Sequence, residues 1–189
     1  MEKKDFNILI CGVGGQGILT LKKILGFAAI KEKKNFLASE LHGLSQRQGS
    51  VAVHFRLGEV FSPLISENEA DLILSLDLYE AKRNHNFAQK ETTFVVNDHL
   101  FPFLNEREEE IKDFLRKKFK KVYFLAASKI CQEKLKSQVF AGVFLLGFLV
   151  KEKILPLKEP SLIFGIENAL KKEELAQNKE AFNLGKNYA

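Results

Sequence analysis

Cysteine is nearly absent: 189 residues hold two, Cys11 and Cys131, far apart in sequence. That scarcity excludes an iron–sulfur ferredoxin domain, a zinc ribbon or a disulfide scaffold within the chain. Tryptophan is missing, and prolines number 4 against 12 glycines. With 46% hydrophobic residues, this composition excludes a disordered or collagen-like chain. The longest apolar run, Val139 to Val150, has 12 residues, where a membrane helix needs about 20. It reads as a buried helix, and no membrane association is expected. No secretory pattern follows Met1-Glu2-Lys3-Lys4-Asp5, so the sequence predicts a cytoplasmic protein with reduced thiols.

Charge of one sign is also thin. The net charge is +5, and arginine supplies only 5 of 29 basic residues. Most lysines stand beside acids, as in Lys31-Glu32-Lys33-Lys34, which describes a solvated face and no nucleic-acid footprint. The run Lys117, Lys118, Lys120 and Lys121 follows Ile111, Phe114 and Leu115 at helical spacing. It reads as the end of an amphipathic helix, where lysine suits the dipole. What is abundant is phenylalanine, at 17 residues. The length suits one domain over residues 1–189, with the polar stretch Gln177 to Ala189 read as an arm or frayed tail.

Apolar runs at Phe6–Cys11, Phe36–Ala38, Asp71–Leu76, Thr92–Asn97 and Val122–Ala127 read as strands. Between them, Ile18, Leu21, Ile24, Leu25 and Ala28 mark one helix face; further helices are expected over 78–87 and 111–121. Three more finish the chain, over about 128–136, 138–152 and 161–175. Val51 to Leu57 alternates, and Gly58-Glu59 turns it into Val60-Phe61, suggesting an edge strand or antiparallel hairpin. The pattern predicts an α/β fold: a three-layer sandwich with a mainly parallel, mixed sheet.

Gly12-Val13-Gly14-Gly15-Gln16-Gly17 joins the first strand to the first helix, a Rossmann-like start. Glycines there permit a tight turn and close backbone approach, and the helix N-terminus favours an anion. The same turn also serves simple close packing without a ligand. A P-loop requires a lysine after the last glycine, and Ile18 stands there. Gly14-Gly15-Gln16 matches the peptide-releasing loop of release factors in letters only, being fixed here between strand and helix. For a dinucleotide the ribose-binding acid is Glu40, which keeps open a stand-alone NAD(P)- or nucleotide-binding α/β oxidoreductase.

A second constellation runs from Glu40 through His42, Ser45, Gln46, Arg47 and Gln48 to Ser50. An arginine in a Gly/Ser/Gln loop offers a planar fork for carboxylate or phosphate; alternatively it ties loop carbonyls together. Loops following the first two strands can meet at the carboxyl edge of an open sheet, so both constellations are expected at one crevice. The candidate binding residues are Gly12, Gly14, Gly15, Gln16, Gly17, Ser45, Gln46 and Arg47. No catalytic residue or metal site is expected.

Three ordered motifs, Gly12 to Thr20, Ser39 to Arg47 and Gly49-Ser50-Val51, resemble the gamma-type subunit of 2-oxoacid:ferredoxin oxidoreductases, and more closely the indolepyruvate-type beta subunit. Phe61-Ser62-Pro63-Leu64-Ile65 and Glu69-Ala70-Asp71 extend the likeness. One departure stands out: Gln48 replaces the first glycine of the family's Gln-Arg-Gly-Gly-Ser, which bears on how Arg47 is presented. The resemblance implies oxidative decarboxylation of a 2-oxoacid to an acyl-CoA, with electrons passed to ferredoxin through the complex. It implies thiamine diphosphate and iron–sulfur clusters on a partner subunit, and coenzyme A at a shared crevice. The chain alone is expected to be inactive, with a homodimer one state for it in isolation.

Overall fold

The computed structural model describes residues 5–42, 49–101 and 106–188. Its six-stranded sheet has the order β2-β3-β1-β4-β5-β6. The strands are β1 (Phe6–Val13), β2 (Phe36–His42), β3 (Ser50–Leu57), β4 (Ala70–Ser75), β5 (Ala88–Asn97) and β6 (Lys121–Leu125). The helices are α1 (Ile18–Lys31), α2 (Leu78–Arg83), α3 (Glu108–Lys118), α4 (Ala127–Leu135), α5 (Ala141–Lys151), α6 (Glu159–Ala169) and α7 (Lys172–Lys186). The sheet is parallel except for β3, which runs antiparallel to both β1 and β2.

Side chains alternate across the sheet and divide the core into two layers. Ile8, Ile10, Leu72, Leu74 and Val95 face α1 and the helices α4 to α7. Leu9, Cys11, Ile73, Phe94 and Val96 face α2 and α3. The three-layer mixed sandwich expected from the pattern is therefore the fold.

Two expectations need correction. The alternating strand β3 lies inside the sheet, not at its edge, and Val60-Phe61 forms no strand: Phe61 is fully exposed. Its polar side is covered by a loop instead of by water. His54 Nδ1 accepts the Ile65 N–H at 2.9 Å, and Arg56 donates to the carbonyls of Ser62 and Leu64 at 3.2 and 3.1 Å. A loop with free backbone groups needs polar partners beneath it, and alternation supplies them.

The second correction concerns the chain end. The pattern expected over 161–175 splits at residues 170–171 into α6 and α7. The polar stretch read as an arm belongs to α7, where Ala181 and Phe182 are buried. α7 crosses α5 through paired glycines. A Cβ on Gly147 would sit 2.0 Å from the Phe182 carbonyl oxygen, and one on Gly185 would sit 1.8 Å from that of Phe144. Only hydrogen at both positions permits this approach. The apolar run of α5 from Ala141 to Leu149 is thus buried by the chain's own elements.

Candidate functional site

β1 ends in a turn whose shape is set by one side chain. Gln16 Oε1 accepts the Val13 N–H at 2.7 Å, while the Gln16 N–H donates to the Val13 carbonyl at 3.1 Å. Gly15 and Gly17 take φ of +101° and +88°, the left-handed region that glycine enters freely. Gly12 is buried beneath this closure, and a Cβ there would lie 2.6 Å from Gln16 Oε1. Space beyond Gly15 is open. Helix α1 follows Gly17 with no side-chain cap among the described residues and no acid in its first turn, which leaves its first N–H groups suited to an anion.

The Gly14 N–H donates to the Gly49 carbonyl at 2.9 Å. This bond brings the end of the β2–β3 connection to the glycine turn, on the carboxyl edge of the parallel strands. Ser45, Gln46 and Arg47 themselves, with Gln48, lie outside the described residues. Glu40, the acid considered for a ribose, is engaged by Lys22 of α1 in an ion pair.

The turn opens into a cavity of about 330 Å³ lined by Gly14, Gly15, Gln16, Asn97, His99 and Ser128, with Leu76, Phe101, Gln138, Val139 and Ala141 completing it. It lies where α1 departs to one side of the sheet and α2 to the other, the place where open α/β sheets hold ligands. A second cleft of about 230 Å³ adjoins it across Gln16 and Val139 and includes Thr20, Lys171 and Glu174.

The motif reading missed three cavity residues. Asn97, at the end of β5, donates to Ser128 Oγ at 2.8 Å and to the Leu76 carbonyl at 3.1 Å, and accepts the Ser128 N–H at 3.0 Å. It thereby pins the start of α4 to the end of β4. His99 lines the cavity with Nδ1 3.8 Å from Asp77 Oδ2. Asp77 is wholly buried, caps α2 by accepting from Tyr79 and Glu80 N–H, and accepts the Phe101 N–H at 2.8 Å. The available signals were an aspartate three residues before a glutamate at a helix start, and polar residues directly after a strand.

Below the turn runs a buried polar seam. Burial pushes the Cys11 thiol up to about 12 and raises Glu80 above the ordinary carboxylate range. Glu80 accepts the Ser50 hydroxyl at 2.6 Å and faces Arg83 at 3.6 Å. At neutral pH Cys11 stays a thiol, unsuited to nucleophilic attack or metal binding. Among the described residues, no cluster of His, Cys, Asp and Glu could hold a metal ion, and no helix is long and apolar enough to cross a membrane.

The glycine turn, the open helix start and the cavity sit within a chain with extensive likenesses. Residues 7–188 match the family described as pyruvate ferredoxin/flavodoxin oxidoreductase. The indolepyruvate oxidoreductase subunit IorB of Methanothermobacter thermautotrophicus is 32% identical, over 96% of both chains. That of Archaeoglobus fulgidus is 34% identical, over 97% of this chain and 94% of its own. Among solved structures, the pyruvate oxidoreductase subunit PORC of Thermotoga maritima aligns with a TM-score of 0.73 at 22% identity, covering 97% of this chain and 96% of its own. A 2-oxoglutarate:ferredoxin oxidoreductase of Magnetococcus marinus aligns with a TM-score of 0.74 at 21% identity, over 98% of this chain but 31% of its own. There the same fold is one part of a longer chain. Motif order, full-length identity and fold agree: this chain belongs to the pyruvate ferredoxin/flavodoxin oxidoreductase family.

Proposed function

We propose that the chain is the accessory subunit of an indolepyruvate-type 2-oxoacid:ferredoxin oxidoreductase. The observation that carries this reading is the end-to-end likeness to curated subunits of that name, 32 to 34% identical over nearly the whole chain. In this role it assists oxidative decarboxylation of an aryl 2-oxoacid to its acyl-CoA. Thiamine diphosphate and iron–sulfur clusters belong to a larger cytoplasmic partner subunit, which passes electrons to ferredoxin. Two cysteines, both buried, are too few for an iron–sulfur cluster on this chain.

Coenzyme A is the ligand we assign to the crevice at the glycine turn. The Magnetococcus structure was solved with 2-oxoglutarate, coenzyme A and succinyl-CoA bound. In the present chain the residues suit a phosphate-bearing ligand: among the described residues nothing crowds Gly15, and no side chain caps α1 beside it. When bound, coenzyme A supplies the thiol that accepts the acyl group. Gly14, Gly15 and Gly17 let the chain approach its phosphates, Gly12 and Gln16 hold the turn's shape, and Ser45, Gln46 and Arg47 complete the set of binding residues in this reading.

The test is co-expression of the tagged chain with its thiamine-containing partner. Co-purification, with dye reduction that requires 2-oxoacid, coenzyme A and both subunits, is the expected result. Undiminished turnover by the partner alone would overturn the proposal. In the active complex, Arg47→Ala should weaken coenzyme A dependence by two to three orders of magnitude, roughly 3–4 kcal/mol, if its fork holds a phosphate.

A further inference from the structure

A phosphate-bearing ligand in this cavity raises an electrostatic problem that the described residues answer in one way. Asp77 is fully buried behind the cavity-lining His99, and its carboxyl accepts three backbone N–H groups, those of Tyr79, Glu80 and Phe101. An anion entering near it is repelled unless a cation stands between them, and because Asp77 is buried that repulsion is weakly screened. Among the described residues lining the cavity, no lysine or arginine is present. The glycine turn, the end of β5, the start of α4 and the turn before α5 contribute backbone, amides and a hydroxyl. His99 is the one titratable side chain there. Lys171, with Glu174, lies in the adjoining cleft on the far side of Gln16 and Val139.

His99 is placed to be that cation. Its Nδ1 is sealed from solvent, has no hydrogen-bond partner among the described residues and faces Asp77 Oδ2 at 3.8 Å. A ring nitrogen in that position gains most when it carries a proton toward the carboxylate. The backbone is also fixed: the His99 carbonyl accepts the Leu78 N–H at 2.9 Å, and the His99 N–H donates to the Asn97 carbonyl at 2.8 Å. With an Nδ1 proton directed at Asp77, Nε2 becomes a donor to a ligand once the ring takes up a second proton.

We propose that His99, oriented by Asp77, is the cationic element of this cavity, that His99 Nε2 donates to a phosphate oxygen of the ligand, and that anion binding draws a proton onto His99. The inference rests on the coenzyme A reading for the identity of the natural ligand, not for the chemistry of the pair. His99 is then a binding residue, and Asp77 a positioning residue acting through it.

The experiment is titration calorimetry of the full chain with coenzyme A and, separately, with inorganic pyrophosphate. Each is run at one pH near neutrality in two buffers of different ionisation enthalpy, so that proton uptake is read directly. The wild-type chain should take up a fraction of a proton with either probe. His99→Gln should bind about tenfold or more weakly with no uptake, while melting as the wild type does. Asp77→Asn keeps an acceptor for the α2 cap and should lower uptake without abolishing binding. Pyrophosphate bound with uptake lost in His99→Gln, together with no binding of coenzyme A, would uphold the pair and overturn the coenzyme A reading. Coenzyme A binding equally tightly, with equal uptake, in wild type and His99→Gln would overturn the pair and leave that reading standing. Binding of neither probe by the wild-type chain would overturn both.

Discussion

Replacing Gly12 by alanine tests the account of the glycine turn, because its cost comes from one identifiable atom. Gly12 has no positive φ, so alanine is free to adopt its backbone. Its methyl would lie 2.6 Å from Gln16 Oε1 and 3.1 Å from both Ile18 Cδ1 and Leu76 Cβ. The Gln16 amide must retreat, and the Val13 N–H then loses its acceptor. An orphaned buried donor costs about 1–3 kcal/mol, and crowding two packed side chains costs about 1 kcal/mol more. Reduced entropy of the unfolded chain returns about 0.4–1 kcal/mol. The net loss is about 2 kcal/mol, or about 4–8 °C in melting temperature for a chain of this length. Gln16→Ala removes the same hydrogen bond without the clash and should cost about 1–2 kcal/mol. In the double variant the methyl enters the space left by the amide, so the costs should not add. Urea unfolding of the four proteins should give a coupling energy of at least 1 kcal/mol. Additivity within about 0.5 kcal/mol would refute the claim that Gln16 closes the turn over Gly12.

The α5–α7 crossing should be intolerant of a single methyl. Gly147→Ala or Gly185→Ala, with a Cβ 2.0 or 1.8 Å from a carbonyl oxygen, should lower stability by about 2 kcal/mol or more despite alanine's better helix propensity, as seen by thermal melting. Glu80 is held above the ordinary carboxylate range by burial, so the folded chain binds its proton more tightly than the unfolded chain. Stability attributable to this group therefore falls as pH rises from that ordinary range through the raised value. Glu80→Gln should flatten that dependence and gain stability at pH 7, as measured by urea unfolding at several pH values. Burial pushes Cys11 to about 12 and Cys131 to about 11. Both thiols should react with an aromatic disulfide reagent near neutral pH only as fast as the chain opens, and fast labelling of the folded protein would contradict their burial.

The sequence pattern carries the alternation of strands and helices because each element's own residues declare its period. Phe6 to Cys11 falls within β1, and Ile18, Leu21, Ile24 and Leu25 face the core from α1. The position of β3 between β2 and β1 rests on non-local pairing, Val53 with Ile10 on one side and Glu40 on the other, which no local pattern encodes. The loop that covers its polar side is equally remote from it in pattern. α7 failed to show because its buried face is Ala181, Phe182 and Gly185 among polar neighbours. That face has meaning only opposite Gly147. At the site, the glycine turn was legible because its conformational demands are local. Asn97 and His99 were not, because the cavity joins residues from separate loops that only the sheet order brings together.

The same sheet order explains why fold stability and the binding edge are hard to separate here. The cavity is built from the segments following β1, β4, β5 and β6, and polar side chains tie these segments down. Gln16 closes the first on itself, Asp77 joins the second to the third through the Phe101 N–H, and Asn97 joins the second to the start of α4. Removing any one leaves a buried donor or acceptor without its partner, a cost of about 1–3 kcal/mol, and moves a wall of the cavity as well. His99 differs from these, because its Nδ1 has no hydrogen-bond partner among the described residues. Substitution of His99 should change ligand affinity while leaving the melting temperature nearly untouched, whereas substitutions at Asp77, at Asn97 and at Gly15, where a φ of +101° strains any side chain, should move both. That division separates the residues that hold the edge from the residues that use it.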